Sequence, residues 1–277
     1  MLINKHFDIK EYDPYIKTEE TTFNLLIRDK DTISNEYELV PIPLAHWINT
    51  IGIPKTNSLI SQVVSAKKRI FICQHIYVNY LKFRDTDIVF TPHSFTNDKF
   101  ISIPHYAVNI NDNINKDRDK LFSFMGSTTT HTTRKSLVKN YPSNCFDTNI
   151  HWGLDTNMTT DFKTNYINLL NDSIFSICPR GTGISSVRLF ESMAMGCIPI
   201  VVADNYEYPL SDIIDWNKIS IQVPEFDIIK DNGIAVNNKI DNFIKQNDTK
   251  EVKTEVLNIY NTYFSNDKLH KTILYNL

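Results

Sequence analysis

A chain of 277 residues is long enough for one large or two small domains, and its 42% apolar and 22% charged residues are ordinary for a globular protein. A net charge of −3, with Lys67-Lys68-Arg69 as the longest basic run, argues against nucleic acid as the main partner. No apolar run is long enough to span a membrane and the first fifteen residues lack a signal core, so a cytoplasmic location is expected.

Apolar runs at Tyr37–Ile42, Arg69–Cys73, Asp87–Thr91 and Phe100–Ile103 read as strands, with a helical pattern over Ser58–Ala66 between the first two. Strands interleaved with helix predict a small α/β domain. His75 directly follows the second run and Asp85 precedes the third, which makes them the two candidates for a general base. His93 and His105 are also base candidates, each with an equal claim to be a hydrogen-bonded structural histidine. Asp85-Thr86-Asp87 spells the D-x-D of metal-diphosphate sites. It precedes an apolar strand rather than a nucleotide loop, so it reads as a strand-start cluster, and no metal or other cofactor is expected. Cys73, Cys145, Cys178 and Cys197 show no C-x-x-C spacing and read as buried, reduced thiols.

The polar stretch Asn109–Arg118 has no apolar periodicity and reads as a linker, dividing a domain at 1–115 from one at 116–277. Beyond it, Leu121–Met125, Ile174–Cys178, Cys197–Ala203 and Ile219–Val223 read as strands. Gly126, a run of hydroxyl residues and Arg134 follow the first of these and form a candidate ligand loop. The tail Val252–Leu277 is amphipathic, with two placements open: folded back on the first domain, or capping the second. The Asn-x-Ser/Thr sequons at Asn157, Asn171 and Asn247 carry no weight in a cytoplasmic chain.

The densest signal is Ser173–Asp204, which holds three of the seven glycines. The loop Pro179–Ser186 leaves a buried strand at its carboxyl end, where open α/β sheets bind ligands. Ser185 or Ser186 is placed to cap the next helix, and Gly196 to end it in a left-handed conformation. The helix start, the loop glycines Gly181 and Gly183, and Arg180 and Arg188 together form a diphosphate cradle. Val187, Phe190 and Ala194 are spaced to pack on the sheet. Glu191, one turn on from Arg188, is placed to accept hydrogen bonds from ribose hydroxyls, although an exposed Arg188–Glu191 pair has the same spacing. On the ribose reading, Glu191→Ala weakens nucleotide binding severely and leaves the fold intact.

CPRG followed by S-x-RLFE and GCIPI, with Ile214-Asp215-Trp216 and Pro224-Glu225 downstream, resembles the exostosin family of glycosyltransferases over about Leu121–Glu225. The resemblance implies a GT-B architecture, two Rossmann-like domains facing a central cleft. It also implies a UDP-sugar donor, a glycan acceptor, inversion at the anomeric carbon and no obligatory metal. It gives Gly126 and Arg134 positions that recur near the donor diphosphate. FRDTDIV is similar to the family's GRDH segment, with Phe83 for the glycine and Thr86 for the histidine. That departure leaves Asp85 and His75 level as base candidates. Among the sugars the family transfers, UDP-xylose is the first expectation. Two other readings remain: a catalytically silent nucleotide- or carbohydrate-binding protein, and a nucleotide-sugar epimerase or hydrolase that needs no acceptor.

Overall fold

A computed structural model describes residues 17–277 apart from 97–98, 112–113, 115–116, 149–159 and 231–232. The amino-terminal segment and the Asn157 sequon lie outside the described residues. The chain forms two compact units. One is Met1–Tyr106 with Glu207–Leu210 and Asn266–Leu277; the other is Ala107–Tyr206 with Ser211–Ser265.

The first unit is built on a parallel sheet of β1 (Tyr37–Leu39), β2 (Lys68–Ile72), β3 (Ile88–Thr91) and β4 (Ile101–Ser102), ordered β1-β2-β3-β4. Alternate residues of β2 face opposite ways, and both faces are covered, as a parallel sheet requires. Ile70 and Ile72 pack with Phe23 and Leu26 of α1 (Lys17–Arg28) and Ile273 of α10 (Leu269–Tyr275). Phe71 and Cys73 pack with Ile48 and Ile60 of α2 (Leu44–Gln62).

The helix expected over Ser58–Ala66 is corrected to α2, which starts earlier and ends sooner. Gly52 breaks it with a φ of 78°, and the helix resumes around Pro54. At its end the buried Arg69 donates to the carbonyls of Ile60 (3.2 Å) and Val63 (2.8 Å), which a helix terminus leaves short of intrahelical donors.

The second unit carries a five-stranded parallel sheet, ordered β6-β5-β7-β8-β9. Its strands are β5 (Lys120–Gly126), β6 (Cys145–Asp147), β7 (Ser173–Pro179), β8 (Ile198–Val202) and β9 (Ile221–Gln222). One face is apolar: Phe122, Phe175, Ile177, Ile200 and Ile221 pack on Leu137 of α3 (Thr132–Asn140) and on Ile240 and Phe243 of α8 (Ala235–Gln246). The other face carries serines beside Met125, Cys178 and Val201. Ser173 Oγ donates to Ser123 Oγ at 2.8 Å, and Ser192 of α5 (Val187–Ala194) donates to Ser176 Oγ at 2.8 Å.

α5 therefore turns Ser192 to the sheet. Phe190, expected on the sheet, packs edge-on against Phe264, whose ring stacks on Trp216. Nor is Asn109–Arg118 a solvated linker where it is described. Asn109 is buried, and Arg118 donates to Leu170 O at 3.3 Å, Ser173 O at 2.6 Å and Met195 O. In the tail, α9 (Thr249–Ile259) belongs to the second unit, whereas α10 packs on α1 in the first. All four cysteines are buried and unpaired.

Candidate active site

The chain runs from β5 out to β6 on one side and then returns to β7 on the other side of β5. That reversal falls at the carboxyl ends of β5 and β7, the position where open α/β sheets take ligands. The two loops singled out in the sequence leave these strand ends, and Arg134 of α3 ties them together. It donates from Nε to Arg180 O (2.9 Å), from Nη2 to Pro179 O (3.1 Å) and from Nη1 to Ser127 O (3.3 Å). Burial and the adjacent Arg188 hold its pKa below the usual arginine range. Gly181 leaves the room this requires, since a Cβ there stands 3.3 Å from Arg134 Nη2.

Arg188 and Glu191 are both buried, so the exposed pair is excluded. The Glu191 carboxylate accepts from Tyr166 Oη (2.6 Å), Asn109 Nδ2 (2.7 Å) and Asn109 N (3.0 Å). These three donors fill most of the about four acceptor sites of a carboxylate, and the side chain is buried, which leaves little of it for ribose hydroxyls. Arg188 lies over the rings of Phe124 (4.6 Å) and Tyr166 (5.3 Å) and donates to Met125 O, while its Nε is buried without a partner. Gly126 admits this guanidinium to the end of β5: a Cβ there meets Arg188 Nη2 at 2.9 Å. Arg188 and Glu191 thus build the floor beneath the loops.

Arg180 is the accessible cation. Its contacts are long: 3.4 Å to Gly181 O, 3.3 Å to Thr182 O and 3.6 Å to Glu225 Oε1. Bonds this stretched hold a side chain weakly, so it turns toward an arriving anion at small cost. Beside it, the backbone amides of Gly181, Thr182 and Gly183 enter no backbone hydrogen bond among the described residues. Ser186 occupies the N-cap of α5 with extended backbone, but its side chain makes no capping bond, contrary to expectation. Ser185 is buried just before it. Gly196 ends the helix region with a φ of 65°, as expected.

Two residues of this edge escaped the sequence reading. Glu225 lies 3.6 Å from Arg180 and 3.5 Å from His131 Nε2, and its Oε1 accepts from Asp204 N at 3.0 Å. Its signal was the Pro224-Glu225 pair, read for family resemblance and not for charge. His131 caps α3 through Thr133 N. Burial lowers its pKa, with Arg180 and Arg134 adding to that and Glu225 opposing it.

In the first unit the two base candidates fall at opposite ends of the sheet. His75 follows β2 at the carboxyl end, whereas Asp85 is exposed in the turn before β3, at the amino end. His75 Nδ1 accepts from Tyr77 N at 3.0 Å, which puts the proton on Nε2, 3.0 Å from Asn49 Oδ1; burial lowers its pKa. Asp87 belongs to a buried ion pair, accepting from Arg69 Nε at 2.7 Å and from Arg84 N at 2.7 Å. That pairing accounts for the D-x-D spelling. No cluster of three or more His, Cys, Asp or Glu suited to a metal occurs among the described residues.

His93 and His105 are buried with their rings 5.3 Å apart, and burial pushes His105 down to about 4. Glu19, unremarked in the sequence, is buried at the carboxyl end of β2. It accepts from Gln74 N (2.8 Å) and Ala45 N (3.1 Å), and burial pushes its pKa up to about 8.

Residues 56–239 match the model of the Exostosin GT47 domain, more than half of the chain. A probable glucuronosyltransferase of Oryza sativa subsp. japonica is 32% identical over 114 residues, 41% of this chain and 25% of that protein. A probable β-1,4-xylosyltransferase of Arabidopsis thaliana is 38% identical over 71 residues, 26% of this chain and 17% of that protein. The matches span a quarter or less of the length of these relatives. Among solved structures, a glycosyltransferase from Rickettsia africae ESF-5 aligns with a TM-score of 0.45 at 12% identity, covering 95% of this chain and 81% of that one.

Proposed function

The chain belongs to the exostosin GT47 family, and from that premise we propose that it transfers a sugar from a UDP-sugar to a hydroxyl of a glycan acceptor, with inversion and without a metal. The observation that carries this reading is the carboxyl edge at the β5/β7 reversal. There Arg180, lightly held, stands beside the unengaged amides of Gly181–Gly183 at the entry to α5. Cationic and N–H donors so grouped suit a diphosphate, and they stabilise its charge as it leaves the anomeric carbon.

On this reading Arg134, Arg188 and Glu191 hold the loops in place, and Glu225 balances Arg180 and His131. The acceptor oxygen attacks the anomeric carbon, the bond to the diphosphate breaks, and a base takes the acceptor proton. His75 is the first assignment for that base. The names of the relatives, a xylosyltransferase and a glucuronosyltransferase, select the donors to test, UDP-xylose first and UDP-glucuronate second.

One observation favours the silent binding protein as a second reading. His75 has both ring nitrogens engaged, and Asp85 sits at the amino end of the sheet. UDP release measured across UDP-sugars, with and without glycan acceptors and with EDTA, separates the readings. Acceptor-dependent release that survives EDTA is expected. UDP binding with no release supports the silent protein, and release without acceptor supports the epimerase or hydrolase.

A further inference from the structure

The turn that follows β2 shows two large aromatic rings to solvent, Tyr77 at 45% and Tyr80 at 66% exposure. They adjoin each other at 5.8 Å between centroids, and Tyr77 adjoins the His75 ring at 5.2 Å. Looseness does not account for this exposure. Val78 and Leu81 anchor the turn in the core, and Val78 N, Tyr80 N and Leu81 N donate to His75 O, Tyr77 O and Val78 O at 3.0–3.1 Å. Asn57 clamps the far side, accepting from Lys82 N at 2.7 Å and donating to Tyr80 O at 3.2 Å.

A rigid turn that presents adjoining aromatics is a pre-organised recognition surface. Among the described residues, the side chains hydrogen-bonded to it are the Asn49 and Asn57 amides and the His75 imidazole. That combination fits a sugar ring. The C–H face of a pyranose packs on an aromatic ring, and its hydroxyl edge finds amide and imidazole partners.

We propose that Tyr77 and Tyr80, with Asn49 and His75 beside them, form a binding platform for an uncharged pyranose unit of the acceptor glycan. The proposal rests on the glycosyl-transfer reading and adds to it the place and chemistry of acceptor recognition in the first unit. Its test is titration of xylotetraose, and of a tetrasaccharide alternating glucuronate with an uncharged sugar, into the full chain and into Tyr77→Ala, Tyr80→Ala and Tyr80→Phe. UDP affinity is measured on the same samples.

At least a tenfold weaker oligosaccharide affinity is expected in both alanine variants, with Tyr80→Phe close to the parent and UDP affinity and melting temperature unchanged. Alanine variants that bind oligosaccharide as well as the parent overturn the platform, as does a parent that binds UDP but neither oligosaccharide. A concentration-dependent dimer abolished by Tyr80→Ala also overturns it, by assigning the rings to self-association. A parent that binds no UDP points to failure of the donor reading instead.

Discussion

The two sheets of this protein are both parallel, yet their carboxyl edges differ in kind. In the first unit the strands run in chain order, and the edge carries groups that burial keeps uncharged: Glu19 pushed up to about 8 and His105 pushed down to about 4. In the second unit the order reverses at β5/β7, and Arg134, Arg180 and Arg188 gather at that edge. The contrast teaches that strand direction alone does not decide the charge of a carboxyl edge. The reversal separates two loops, and the arginines fill the space between them. The first unit instead exposes Tyr77 and Tyr80 in the turn after β2.

Substitutions test this contrast, and the largest expected effect concerns a charge that is structural. Asp87→Ala leaves buried Arg69 without its carboxylate and should cost about 3–5 kcal/mol in urea unfolding. Asp85→Ala, two residues away and exposed, should stay within about 0.5 kcal/mol. Equal costs would contradict the assignment of the buried pair. Glu191→Ala strands the Tyr166 hydroxyl and two Asn109 donors in the interior and should cost about 3 kcal/mol. This corrects the expectation that the variant keeps its fold intact. An unchanged denaturation midpoint would return Glu191 to the ligand.

The uncharged edge predicts a pH dependence. Glu19 holds a proton in the folded chain that the unfolded chain releases near 4.5, so its contribution is complete below about 4.5 and is lost as pH rises through about 8. His105 acts in the opposite sense, its contribution lost as pH falls from 6.5 through about 4. Between pH 6.5 and 8 Glu19 acts alone of the two, and stability should fall by about 2 kcal/mol across that window. Glu19→Gln should flatten the slope there; a slope that persists in this variant assigns it to another group.

The buried strands were legible because β2, β5, β7 and β8 are continuous apolar runs or alternate apolar with small residues. β6 was not, being three residues at a sheet edge with Phe146 exposed. The loops of the β5/β7 edge were visible from their glycines and arginines. What Arg134 and Arg188 touch was not, because the contacts that place them join distant parts of the chain. Arg134 meets Arg180 O across 46 positions and Arg188 meets Met125 O across 63. The Glu191 partners, Tyr166 and Asn109, lie 25 and 82 positions away, and a spacing rule confined to one helix cannot find them. Glu19 escaped for the same reason: Ala45 and Gln74 bury it, and neither is near it in sequence.

The most direct test of the central claim is calorimetric titration of UDP into the parent chain and into Arg180→Ala, with melting temperatures measured in parallel. The account predicts at least about a tenfold loss of affinity, near 1.4 kcal/mol, with melting unchanged, because the Arg180 side chain makes only long contacts within the chain. UDP bound equally well by the variant, or not bound by the parent, would contradict the assignment of the β5/β7 edge as the donor site.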